Sequence, residues 1–97
     1  MLHPTAAGQP GNFSVLTVGL TSFTVSWTAP TSGATISGYR IYWSGGSDQG
    51  SMDSNAGDTA VTISGRSQGL TYSISIVALS VQVPSPEVGP VTVSLGE

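Results

Sequence analysis

The sequence predicts an all-β protein, a sandwich of seven short antiparallel strands. Two observations carry this. Apolar and polar residues alternate at period 2 in one short run after another, separated by turn residues at intervals of roughly 8–12 residues. Gly, Pro, Ser and Thr also interrupt every window before three helical turns can form. No strand–helix–strand unit occurs, which excludes a parallel sheet.

The first run, FSVLTV at 13–18, follows Pro10. The second, SFTVSWT at 22–28, places Phe23, Val25 and Trp27 on one face and ends at Pro30, which cannot donate to a ladder. SGYRIYWS at 37–44 follows, with Tyr39, Ile41 and Trp43 on one face and Arg40 and Tyr42 on the other. Trp43, near the end of its strand, is expected to be less buried than Trp27. The polar stretch GGSDQGSMDSNAGD leaves room for a short edge strand over 49–53.

TAVTISG then supplies Val61 and Ile63 at period 2. TYSISIVALS supplies Tyr72, Ile74, Ile76 and Ala78 on one face, and Val91, Val93 and Leu95 alternate in the last run. The inward sets yield a core of Trp27, Tyr39, Ile41, Ile63, Tyr72, Ile74 and Ile76. The expected partition places the first two strands and TAVTIS in one sheet and the other four in the second.

With 97 residues the chain has the size of one domain, and it folds without a disulfide because it has no cysteine. Residues 1–8 read as a linker or an expression-derived start, and 9–97 as the domain. MLHPTAAGQP has neither the basic start nor the apolar stretch of a signal peptide, so the chain is expected to be an excerpt of a larger protein.

Charged residues make up 7% of the chain, the net charge is −3, and Arg40 and Arg66 are its two fixed cations. Nucleic acid and anionic membrane surfaces both demand a basic patch, so neither is an expected partner. No apolar run approaches the ~20 residues of a membrane helix, so direct membrane insertion is not expected either. Alone, the domain is expected to be monomeric.

Catalytic, metal and cofactor chemistry are not expected. The single histidine, His3, lies in the segment read as linker, and a nucleophilic serine needs a base within reach. Asp48, Asp53 and Asp58 share one Gly/Ser-rich stretch, but their spacing does not make a calcium loop and they read as solvated loop carboxylates. The 13 glycines form no phosphate-binding pattern, so no cofactor is implied. Asn12-Phe13-Ser14 is an N-glycosylation sequon, meaningful in a secreted parent.

From about Pro10 to Leu95 the chain resembles a fibronectin type III domain. The likeness rests on Pro10, on Trp27 in TVSWTAP, on SGYRIYW and on VTISG…GLTYSISIVAL. It implies an immunoglobulin-like sandwich in which Trp27 fills the gap between the sheets. It also implies that Tyr72 turns its hydroxyl back to the backbone of the preceding corner.

That corner usually reads Gly-Leu-x-Pro-Gly-x-x-Tyr in the family, whereas GRSQGLTY puts Arg66 at the leucine and Gln68 at the proline. A buried unpaired guanidinium would cost several kcal/mol. Arg66 is therefore expected to lay its stem across the sandwich edge and reach solvent, a backbone carbonyl or a loop carboxylate, while Leu70 closes the apolar gap. In this reading Arg66→Leu is neutral or stabilising.

The adhesive tripeptide Arg-Gly-Asp, carried by some members between the last two strands, is missing from SVQVPSPE at 80–87. Val81 and Val83 there mark either a contact surface or a short loop held rigid by Pro84 and Pro86. The resemblance implies a non-catalytic extracellular or cell-surface module of an adhesion, receptor or matrix protein. It would act as one unit of a repeat array, a spacer and a surface for another protein or neighbouring domains. The alternatives are an accessory module of a secreted microbial carbohydrate-active enzyme and a direct carbohydrate binder, for which Tyr42 is the outward-facing aromatic.

Overall fold

A computed structural model describes residues 7–31, 33, 35–81 and 83–95. Seven strands follow one another: β1 (Gly11–Val18), β2 (Phe23–Thr28), β3 (Gly38–Gly45), β4 (Asp48–Asn55), β5 (Ala60–Ile63), β6 (Thr71–Leu79) and β7 (Val88–Ser94). They form two antiparallel sheets, ordered β1-β2-β5 and β4-β3-β6-β7, which is the partition the sequence implies. Among the described residues there is no helix.

The inward set of each strand makes the core. Trp27, Tyr39, Ile41, Ile63, Tyr72, Ile74 and Ile76 are all buried, together with Phe23, Val25 and Ala78. Trp27 meets Tyr39 from the opposite sheet with ring centroids 5.1 Å apart and planes tilted 56°. Such a tilted aromatic pair adds to the area burial that drives the sheets together. Phe23 and Tyr72 make a second inter-sheet pair at 6.0 Å.

Trp43, 8% exposed against 3% for Trp27, is the less buried of the two indoles, as its place near the strand end implies, and both belong to the core. The Arg66 guanidinium covers the Trp43 ring from 4.7 Å and shields the end of the strand. The fourth strand differs from the sequence reading: it is longer than 49–53, pairing with β3 without interruption from Gly38↔Asn55 to Gly45↔Asp48. Its mostly exposed side chains leave no apolar alternation to read, and the ladder with β3 is what holds it.

The β3–β4 hairpin closes through Gly46 and Ser47, with Gly46 at φ 56°, the positive value that a primed two-residue turn requires at this position. At the other pole the segment before β1 is docked. Ala7 is buried, bridges Gly33 and donates its N–H to the Val83 carbonyl at 2.9 Å.

Candidate functional site

β3 occupies an inner position of the four-stranded sheet, so its outward residues sit in the middle of an open face. Register puts Tyr42 between Ser51 of β4 and Ser75 of β6, and Ser44 between Gln49 and Ser73. A concavity of about 500 Å³ lies over this surface, lined by Tyr42, Gln49, Ser51, Ser73, Glu87 and Pro90 among others. It offers one aromatic ring, several hydroxyls, a carboxamide and a carboxylate. These groups supply hydrogen bonding and stacking. His3 lies outside the described residues.

Arg40 stands beside Tyr42 on the same face. Its Nε and Nη2 donate to Asp53 Oδ1 and Oδ2 at 2.7 and 3.1 Å, a two-pronged pair. The Arg40 hydrogen bond holds the Asp53 carboxyl below the usual carboxylate range. Asp53, and after it Tyr42, push the guanidinium further up. Both partners are well exposed, at 41% and 57% of the side chain, so the pair orients Arg40 beside Tyr42 more than it stabilises the fold.

A second polar group closes the base of the sandwich. The Tyr72 hydroxyl accepts from the Ser67 N–H at 2.9 Å, the return to the corner backbone that the family resemblance implies. It also donates to Asp48 Oδ2 at 2.6 Å. Asp48 Oδ1 accepts from Arg66 Nη1 at 3.0 Å, and Arg66 Nε reaches the Ser64 carbonyl at 3.3 Å. Arg66 therefore takes both a backbone carbonyl and a carboxylate, while Leu70, half-buried, packs against the core below it. This arrangement is structural, because each of its groups already has a partner within the fold.

Asp48, Asp53 and Asp58, read from the sequence as solvated loop carboxylates, each have a partner within the fold, although Asp53 remains well exposed and Asp58 lies in the β4–β5 turn. The first two belong to β4 and pair with Arg66 and Arg40. Asp58 accepts from the Asn55 N–H at 3.0 Å and pins the β4–β5 turn. No group of three metal-ligating side chains comes together among the described residues. Asp48 escapes sequence reasoning because its partners are 18 and 24 residues away; the one local signal is its place directly after the Gly-Gly-Ser turn.

In the β6–β7 loop, Val81 is 92% exposed. Val83 is tied down by its N–H to Ser80 Oγ at 3.1 Å and by Ala7. Ser85 is buried, and its hydroxyl accepts from the Ala78 N–H at 2.9 Å. The loop is thus held by the hydroxyls of Ser80 and Ser85. Asn12 is exposed at φ 50°, in an irregularity of β1 between Gly11↔Thr28 and Ser14↔Ser26.

The family model for the fibronectin type III domain matches residues 8–94. A structure of the chicken CNTN1 FN1–FN3 domains superposes with a TM-score of 0.85 at 15% identity over 96% of this chain; the chain spans 32% of that one. The FN5 domain of Drosophila Lar gives a TM-score of 0.78 at 21% identity, over 94% of this chain and 98% of that domain. A computer-redesigned β-sandwich protein gives 0.75 at 30% identity, over 99% and 92% of the two chains.

Proposed function

Because this chain belongs to the fibronectin type III family, we propose that it is a non-catalytic module of a larger extracellular or cell-surface protein, acting as a spacer and as a protein-contact surface. The observation that carries this is the placement of the two ends of the fold. Ala7 is bonded to Val83 beyond the end of β6, and the Leu95 N–H donates to the Leu70 carbonyl just before β6 begins. The chain thus enters at one pole and leaves at the other, a strand length of about 30 Å apart at ~3.3 Å per residue. Modules threaded this way extend a parent chain when joined in series.

In this reading the domain proper is 9–97, residues 1–8 lead into it, and the isolated module is monomeric in dilute solution. Its neighbours are other domains of the same chain, and Asn12 carries a glycan when the parent passes through a secretory pathway. Two copies joined in series and examined by small-angle scattering test the spacer role. The maximum dimension should grow by about 30 Å or more over a single copy. Growth of less than half that would mean the copies fold back on one another and would sink the reading.

A second reading is favoured by the concavity at Tyr42. An aromatic ring among serines, Gln49 and Glu87 suits an uncharged, hydroxyl-rich ligand better than an anionic one, and an accessory carbohydrate-binding module of a secreted microbial enzyme would use it. Titration with a glycan panel, followed by tryptophan fluorescence from the adjacent Trp43, decides this. A saturable response abolished by Tyr42→Ala supports it, and no response to any glycan removes it.

A further inference from the structure

A two-sheet sandwich has four edges, and here they differ. β1 is irregular twice, between Gly11 and Ser14 and again between Val15 and Thr17. It also lies against β7 across the open side of the sandwich. β7 carries Pro90, which has no N–H, and its register with β6 shifts between Ile74 and Ile76. β5 has four residues. Bulges, proline and shortness are the ordinary devices that keep sheet edges from pairing with other chains.

β4 has none of these devices. It runs eight residues in unbroken register with β3, contains no proline, and residues 49–53 are all exposed. Its two carboxylates are already neutralised within the fold by Arg66 and Arg40. A regular free edge of this length presents a row of unsatisfied backbone donors and acceptors to a partner strand.

We propose that this edge pairs with β4 of a second copy of the chain, antiparallel about a two-fold axis at Ser51. An axis normal to the sheet keeps outward side chains on one face, so outward residues must meet outward residues. With Ser51 opposite the partner's Ser51, Gln49 falls opposite the partner's Asp53, and its amide can donate to that carboxylate. On the inner face Gly50 falls opposite the partner's Met52. An added Cβ at Gly50 would meet Trp43 Cζ2 at 2.9 Å, so the position must stay bare, and the thioether of the partner's Met52 covers it. Asp48 meets the partner's Ser54. No carboxylate faces another, which is the electrostatic condition for cross-strand pairing of identical strands.

The junction joins two four-stranded sheets into one of eight and sets the two Tyr42 concavities side by side on the same face. One pair of strands buries less than the ~1,600 Å² of a stable interface. The contact is therefore silent in dilute solution and forms when tethering raises the local concentration to about the millimolar range. It extends the proposed role of the module from a spacer to a lateral contact between parent chains, and does not depend on either ligand reading.

The chain has no native cysteine, so single-cysteine variants test the pairing directly. At about 1 mM protein under mild oxidation, Ser51→Cys sits on the axis and should form a disulfide dimer at least ~10-fold faster than Ala60→Cys, an exposed position on the opposite sheet. Adding Ser51→Lys protein in excess should not slow this cross-linking, whereas excess native protein should compete with it. Ser51→Cys dimerising no faster than Ala60→Cys, or competition by Ser51→Lys as strong as by native protein, would overturn the proposal. Circular dichroism of each variant reports that the fold is retained.

Discussion

The Tyr72 hydroxyl donates to Asp48 Oδ2 at 2.6 Å and so ties the start of β6 to the start of β4, two strands that are not neighbours in their sheet. The same oxygen accepts from the Ser67 N–H, so one phenol oxygen links the β5–β6 corner, β6 and β4. Tyr72→Phe keeps the buried ring but leaves the Ser67 N–H and the Asp48 carboxylate each short of a partner. It should cost ~1.5–3 kcal/mol, the range for a hydrogen bond to a charged group. A double-mutant cycle with Asp48→Ala in urea should give a coupling of at least ~0.5 kcal/mol. Additive effects would place the two groups out of contact.

Arg66 follows from that pair. Read from the sequence, its replacement by leucine is neutral or stabilising; the geometry reverses the sign. Arg66 covers the Trp43 ring and supplies the second partner of Asp48, and both side chains of that ion pair are largely shielded, at 20% and 24%. Arg66→Leu should therefore destabilise by ~1–2 kcal/mol. Leu70→Ala, which opens the packing beneath, should cost ~1–3 kcal/mol. Thermal melts that rise for Arg66→Leu would return the site to the sequence-based reading.

Trp27 is the largest side chain that the three-stranded sheet contributes to the core. Trp27→Ala should cost ~3–5 kcal/mol out of a total of ~5–15 kcal/mol, and leave a domain unfolded or nearly so at 37 °C. An unchanged melting temperature would contradict its place between the sheets.

Tyr39 carries the opposite prediction. Its ring is fully buried against Trp27, yet its hydroxyl has no hydrogen-bond partner among the described residues. Burying an unpaired hydroxyl is unfavourable, so Tyr39→Phe removes a cost of ~1–3 kcal/mol while keeping the ring contact. Denaturant melts should show a gain or no change, and a loss greater than ~1 kcal/mol would reveal a partner for the hydroxyl.

These contrasts show where sequence reading succeeds and where it stops. β2 and β3 bury one face and leave the other mostly exposed or half-buried, and β6 buries its inward set, so Phe23-Val25-Trp27, Tyr39-Ile41-Trp43 and Tyr72-Ile74-Ile76 write their period into the chain. Ser75 and Val77 on the outer face of β6 are buried too. β4 buries neither face, and DQGSMDSN reads as a loop because a ladder made by backbone groups has no side-chain signature. Tyr42 is legible as outward from the parity of β3. The concavity around it is not, since Gln49, Ser73 and Glu87 are brought together by register between strands distant in sequence.

The proposed role rests most directly on the chain leaving at the pole opposite to its entry, and one distance tests that. Spin labels on Gly8→Cys and Ser94→Cys flank the fold, Gly8 following the residue bonded to Val83 and Ser94 lying opposite Thr71. Double electron–electron resonance should give a single narrow distribution centred near ~30 Å, the length of β6. A distribution centred below ~20 Å would put both ends at one pole and contradict the account of the module as a spacer.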